Sequence, residues 1–190
     1  MTKNTAKSLF WSFVLFLLLT FLDQYTKIWA RSALHLKKPF VIINGVFEFN
    51  YLEGGNKGAA WGFLSGHLLL LSLISLIVIV IIWIYIFKVT SVIDALKSDN
   101  KDLVLKYKVF RLVLVFLNAG AFGNLIDRLF RKYVIDFLYF KLINFPIFNV
   151  ADCYVVISVI ILAIMLMFVF KEEELKDLSI LSKNNKRIDI

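Results

Sequence analysis

Apolar residues run almost without interruption through four windows of this chain, at about residues 8–30, 67–88, 109–128 and 151–170. Each is close to the roughly 20 residues with which a helix crosses the hydrocarbon core of a bilayer. They predict four membrane-spanning helices in a single integral membrane domain, residues 1–190. The first window follows Lys3 and Lys7, as the core of a cleaved signal peptide would, yet it ends in D23-Q-Y-T-K27 rather than in a small-residue cleavage site. It is expected to remain as an anchor.

The pattern changes between the first two windows. In V46-F-E-F-N-Y51 the aromatics Phe47, Phe49 and Tyr51 alternate with Glu48 and Asn50, the period of a strand. A short sheet is predicted over residues 39–62, with its aromatic face resting on the outer leaflet. Gly54 and Gly55 mark a turn, and N56-K-G-A-A-W-G62 supplies small residues where a backbone approaches another group closely. Asn56 suits a cap of that turn. The core of the second window, Leu68 to Phe87, carries no charged group and suits a lipid-facing structural helix. The charged loop after it, Val89 to Lys108, leaves room for a short helix around Val92 to Leu96. The tail, 171–190, with E172-E-E174 and K183-N-N-K-R187, reads as a solvated, partly disordered end. The fold class is therefore membrane all-α with a small β element: four transmembrane helices, and an extracytoplasmic sheet between helices one and two.

Composition strengthens this picture and charge orients it. A chain that is 60% hydrophobic, with a mean hydropathy of +0.79, is far from a soluble average. The net charge of +8 does not point to nucleic acid, because the basic residues are scattered over the ends of the apolar windows. With the N-terminus in the cytoplasm, thirteen Lys and Arg fall inside and nine outside, which favours cytoplasmic N and C termini. The single cysteine, Cys153, excludes an internal disulfide. It suits a small buried side chain, since neither His35 nor His67 is placed to activate it as a nucleophile. A monomer is expected.

Candidate chemistry lies where polar residues interrupt the apolar windows. Asp23 and Lys27, one helical turn apart, suit an interfacial ion pair with Lys27 snorkelling to the headgroups. In the third window Gly120, Asn124 and Asp127 share one face, and Ala119, Gly120 and Gly123 permit close helix contact. Asn149 suits the N-cap of the fourth helix, and Asp152 in its first turn suits the helix dipole. Asp136 lies in the connection between them. Because windows one and three run one way and window four the other, Asp23, Asn56, Asn124, Asp127, Arg128, Asp136, Asn149 and Asp152 gather at one membrane face whichever way the chain inserts. Ionisable groups turned into a membrane bundle are costly and mark a site.

Two carboxylates held together cannot both ionise cheaply, so one keeps a proton while the other acts as a base. Such a pair splits an amide without metal or cofactor: one carboxylate deprotonates water, and the other protonates the carbonyl and then the leaving amine. A metal site is the weaker idea, because no His or Cys sits with these carboxylates in a ligand spacing. Spacing leaves open which two of Asp127, Asp136 and Asp152 pair. A small proton-coupled carrier also uses intramembrane acids, but the core of the second window has no charged residue and no paired broken helices are visible. A non-catalytic scaffold leaves the convergent carboxylates unexplained.

The ordered blocks D23-Q-Y-T-K27, N56-K-G-A-A60, G123-N-L-I-D-R128, V134-I-D-F137 and F148-N-V-A-D152 resemble those of lipoprotein signal peptidase, signal peptidase II. One such block is weak; five in order are specific. The resemblance implies a bacterial inner-membrane aspartyl endopeptidase that cleaves diacylglyceryl-modified prolipoproteins before the lipidated cysteine, with its active site toward the extracytoplasmic face. It implies Asp136 and Asp152 as the catalytic pair and Asp127 as a support for the segment bearing Asp136. Asn124, Arg128 and Asn149 match polar positions around the site, Asn56 one on the outer sheet, and Asp23 one near the end of the first helix. The implied partners are the prolipoprotein and membrane lipid, with no cofactor. Ala119, Trp61 and Lys132 depart from the common pattern, and Lys132 bears on the loop that delivers Asp136.

Overall fold

A computed structural model describes residues 2–58, 67–96 and 100–178. Four helices have the length and apolarity to cross a membrane: α1 (Lys3–Leu34), α2 (Leu68–Ala95), α3 (Lys101–Phe130), and α4 (Val150–Ile164) with the π-helical turn Met165–Val169 that continues it. Strands β1 (Phe40–Ile43) and β2 (Phe47–Phe49) lie between α1 and α2, β3 (Leu138–Phe140) lies between α3 and α4, and α5 (Glu172–Leu178) follows the last span.

The helices run past the ends of their apolar windows because capping and propensity, not hydropathy, set where they stop. Thr2 starts α1 by accepting from the Thr5 amide at 3.1 Å, and Asn100 starts α3 by accepting from Leu103 at 3.1 Å. The short helix expected around Val92 to Leu96 is the last turn of α2, which meets no glycine or proline before Ala95. The tail is not wholly irregular either: α5 packs Leu178 into the core and offers the Glu174 carbonyl to the Tyr107 hydroxyl at 2.9 Å. Residues 179–190 of that tail, and Ala59, Ala60, Trp61 and Gly62 of the small-residue segment, lie outside the described residues.

Helix α3 is the centre of the bundle. More than half of its apolar window, 56%, is buried, against 11–28% for the other three spans, and it packs against α1, α2 and α4. The outward faces of the spans expose Phe, Leu, Ile and Val, as lipid contact requires. Three hydroxyls of α2 answer to their own helix: Ser72, Ser75 and Thr90 donate to the carbonyls four residues back at 2.7–2.8 Å. Helix α2 is thus neither purely lipid-facing nor free of polar groups, since Ile79, Ile82 and Ile86 are buried in the core.

The sheet differs from its sequence outline. It has three antiparallel strands in the order β1-β2-β3, so residues 39–62 supply only two of them. The third, Leu138–Phe140, is too short to show a period. Phe49 stands opposite Leu138, Glu48 opposite Tyr139 and Phe47 opposite Phe140. The aromatic alternation is present, but Phe49 packs edge-on against Trp29 and Phe137, with ring centroids at 5.6 and 6.2 Å. That face packs on a second small core of Ala30, Leu34, Tyr51, Ile135 and Phe137.

Candidate active site

Residues 134–138 form the axis of the site. Their backbone is held on both sides: Asn56 and Val134 exchange hydrogen bonds at 2.8–2.9 Å, Leu52 donates to the Asp136 carbonyl at 3.0 Å, and Asn50 donates to Phe137 at 2.8 Å. On the other side Phe137 and Leu138 donate to the Phe148 carbonyl at 2.9 and 2.8 Å. Asp136 therefore projects from an extended segment pinned between the first outer loop and the start of α4. Lys132, with φ of 67°, takes the left-handed turn by which α3 gives way to this segment.

Asn149 joins the two carboxylates of the predicted pair. As N-cap of α4 it makes a reciprocal capping box with Asp152: its side chain accepts from the Asp152 amide at 3.0 Å, and its own amide donates to Asp152 Oδ2 at 3.1 Å. Its Nδ2 donates to Asp136 Oδ1 at 2.6 Å. One residue thereby orients both acids. Asn124 adds a second link, donating from Nδ2 to Asp152 Oδ1 at 2.7 Å and accepting at Oδ1 from Asn149 at 3.2 Å. Asn56 donates to Asp136 Oδ2 at 2.9 Å while its oxygen accepts from the Gly58 amide, so the turn cap expected from the sequence is also a site contact.

Three further residues set the frame. Asp23 Oδ1 accepts from the Ala151 amide at 3.0 Å, using α1 to satisfy an N–H in the first turn of α4. Asp127 accepts from the Ile135 amide at 3.2 Å and pairs with Arg131 through Oδ1, tying the end of α3 to the residue beside Asp136. Helix contact is close where glycine permits it: a Cβ on Gly120 would stand 2.5 Å from the Ala151 carbonyl oxygen. Arg128 carries a buried Nε with no hydrogen-bond partner among the described residues.

A cavity of about 780 Å³ opens on this constellation, with Asn124, Arg128, Asp152, Asn56 and the Phe145–Phe148 segment in its lining. Asp152 is half-buried at its wall, whereas Asp136 is 1% exposed and meets it through Asn56. Burial first, and then the negative charge of Asp152, push the Asp136 carboxyl up to about 7, against the opposing hydrogen bonds of Asn56 and Asn149. Asp136 thus holds a proton near neutrality. Among the described residues no three Asp, Glu, His or Cys side chains gather as a metal-holding group.

All eight residues singled out from the sequence converge here, but the network needs more. Lys27 does not snorkel: it is fully buried, pairing with Asp23 at 2.9 Å and Asp127 at 3.1 Å, and donating to Asn124 at 2.9 Å. It lies two turns before the end of α1, because that helix continues to Leu34 past the apolar window. Gln24 also enters, donating to the Gly123 carbonyl at 3.0 Å and accepting from Arg131 at 2.8 Å. The spacing of four between Asp23 and Lys27 signalled the first, and the block D23-Q-Y-T-K27 contains both without showing what either one bonds.

The family model described as signal peptidase (SPase) II matches residues 15–168, spanning every element of this site. The chain belongs to the signal peptidase II family. The lipoprotein signal peptidase of Clostridium acetobutylicum is 38% identical over 158 residues, 82% of this chain and 90% of that protein. That of Fusobacterium nucleatum is 33% identical over 162 residues, covering 85% and 89%. Among solved structures, a bacterial membrane enzyme determined by the in meso method superposes with a TM-score of 0.63 at 29% identity, covering 91% of this chain and 92% of that one. Membership makes this a bacterial multi-pass membrane protein and an aspartic peptidase that removes signal peptides from lipoprotein precursors. The carrier and scaffold alternatives fall with it.

Proposed function

We infer that the chain cleaves diacylglyceryl-modified prolipoproteins on the amino side of the lipidated cysteine, using Asp136 as the acid and Asp152 as the base. The single observation that supports this pair over either pairing with Asp127 is Asn149, which bonds Asp136 with its side chain and Asp152 through its capping box. Asp127 is already committed to Lys27 and Arg131.

The division of labour follows from exposure and protonation. Asp152, at the cavity wall, takes a proton from water, and the resulting hydroxide attacks the scissile carbonyl carbon. Asp136, whose carboxyl is pushed up to about 7 and so carries a proton in a large share of molecules at neutral pH, gives that proton to the carbonyl oxygen, so that a neutral gem-diol forms and no charge accumulates in a water-poor site. Asp152 then passes its proton to the amide nitrogen, Asp136 recovers the hydroxyl proton, and the carbon–nitrogen bond breaks. Both carboxyls return to their starting states.

The substrate's placement rests on the same geometry. The cavity lies between the first outer loop at residues 52–58, the outer ends of α3 and α4 and the Phe145–Phe148 segment, with the exposed Val156 at its edge on α4. A diacylglyceryl group enters from the bilayer there while the peptide crosses Asn56 and Arg128. The termini are cytoplasmic by the distribution of Lys and Arg, which puts the site at the extracytoplasmic face. The working form is a monomer in membrane lipid, and the chemistry requires no cofactor.

The test is cleavage of a diacylglyceryl-modified prolipoprotein by purified protein in detergent, with and without a chelator, beside Asp136→Asn and Asp152→Asn. Chelator-resistant cleavage lost in both folded variants is expected. Retained cleavage by either variant would remove that aspartate from the pair.

A further inference from the structure

Lys27 is the most deeply buried cation in the described structure, with none of its surface exposed, and it is absent from the cavity lining. Its contacts nevertheless lead to both catalytic carboxyls. The ammonium donates to Asn124 Oδ1 at 2.9 Å, and that oxygen also accepts from Asn149 Nδ2 at 3.2 Å. Asn124 Nδ2 is thereby turned to Asp152 Oδ1 at 2.7 Å, while Asn149 Nδ2 reaches Asp136 Oδ1 at 2.6 Å.

A carboxamide can be rotated end for end at little steric cost, so something must choose its direction. An ammonium has only donors. Were Asn124 reversed, its NH2 would face the Lys27 NH3 and the Asn149 NH2, and its oxygen would face the Asp152 carboxylate. Every one of its three contacts would then oppose like with like. The charge of Lys27 thus admits one polarity for the chain of amides.

Charge balance gives Lys27 a second effect. Around it stand Asp23 of α1, Asp127, Arg128 and Arg131 at the end of α3, Asp136 of the connection, and Asp152 of α4 with Cys153 and Tyr154 beside it. Four carboxyls and three cations are neutral together when the carboxyls share one proton. That is the protonation state which hydrolysis by an aspartate pair requires.

Taking Asp136 and Asp152 as the catalytic pair, we propose that Lys27 is a positioning residue of the peptidase: it fixes the polarity of the Asn124 and Asn149 amides and balances the charge that keeps the pair singly protonated. Lys27 touches neither substrate nor the reacting atoms. Its effect belongs to kcat and to pH dependence and not to KM.

The test uses full-length protein in detergent and a synthetic diacylglyceryl prolipopeptide. Lys27→Met strands two buried carboxylates, so the decisive variant is Lys27→Met/Asp23→Asn, which removes an ion pair together and leaves an Asn oxygen for the Ala151 amide. Thermal melting confirms that it folds. Its kcat at pH 7 is expected to fall about tenfold with KM unchanged, while the alkaline limb of the rate profile keeps its wild-type place, because three carboxyls and two cations are still neutral with one shared proton. In Lys27→Met alone, where that balance is lost, the limb is expected to move up by about one pH unit, because the cation that favours the ionised form of Asp136 is gone. An unmoved limb in Lys27→Met, a loss carried by KM, or wild-type kinetics in the double variant would overturn the proposal. Asp136→Asn and Asp152→Asn are run alongside. Cleavage by either would instead remove the catalytic assignment, whatever the Lys27 variants do.

Discussion

Substituting Gly120 by alanine adds one methyl group and changes no site side chain, yet it should disable the enzyme. The new Cβ would lie 2.5 Å from the Ala151 carbonyl oxygen, 2.9 Å from Val155 Cγ2 and 3.1 Å from Tyr154 Cβ. Two of these three atoms cannot swing away, since one is backbone and one is bonded directly to it. Ordinary contact therefore requires α3 and α4 to part locally by about 0.5–1 Å, at an overpacking cost of about 1–3 kcal/mol. Asn124 lies one turn further along the same face of α3, and its bond to Asp152 is 2.7 Å. Stretched to about 3.2–3.7 Å it is weakened to the edge of hydrogen bonding or lost, and a misplacement of about 1 Å at a catalytic group costs about a hundredfold in rate. The assay is cleavage of a diacylglyceryl prolipopeptide in detergent, with thermal melting of the same preparation. Wild-type cleavage at an unchanged melting temperature would refute the reasoning, because it would mean that the two helices are not in contact at Gly120.

Other outcomes are equally specific. The wild-type rate profile should fall on its alkaline side with an apparent pKa near 7, as Asp136 loses its proton; a rate rising steadily through pH 8 would reverse the acid and base roles. Because the folded protein holds that proton far more tightly than the unfolded chain, stability contributed by Asp136 falls as pH rises from about 4 to about 7. Asp136→Asn should accordingly gain melting temperature over wild type at pH 8 and lose the advantage by pH 4, and a pH-independent difference would contradict the buried, protonated state. Asp127→Asn leaves buried Lys27 and Arg131 short of a partner and should cost about 3–5 kcal/mol, seen as activity and melting temperature dropping together. Asn118 is fully buried with neither end of its amide hydrogen-bonded among the described residues. Asn118→Leu should stabilise the bundle by about 1–3 kcal/mol in chemical or thermal denaturation, and destabilisation would show that the amide is in use.

The four spans were legible because lipid imposes a length and a composition that few other environments do, and family membership was legible because five short polar blocks occur in order. The site was legible only in part. Asp136, Asp152, Asn124 and Asn149 could be gathered at one membrane face from the direction of each helix alone. Asn149 could be recognised as a cap but not as the residue bonded to both acids, since the second bond comes from a segment outside α4. Lys27 was misplaced because its depth depends on where α1 ends, and the turn that buries it is written in residues 28–34, whose polar members look like a loop. The third strand escaped for a simpler reason: Leu138–Phe140 is ordinary sequence until β2 is beside it. Gln24 meets Arg131 across 107 positions of chain, a pairing that no local pattern could announce.

The extended segment carrying Asp136 also sets a timetable. It takes hydrogen bonds from Asn50, Leu52 and Asn56 of the first outer loop, and gives them to Phe148 at the threshold of α4. A growing chain with α1 and α2 already threaded lacks both aspartates of the pair, and one with α3 added still lacks Phe148 on the other side. Proteolytic competence arrives as a single event late in biogenesis, when the second outer loop reaches the first and the last span is seated. A half-inserted copy is therefore harmless to its neighbours, and a variant that only slows the docking of these loops should delay the onset of activity in newly made protein without altering the mature enzyme.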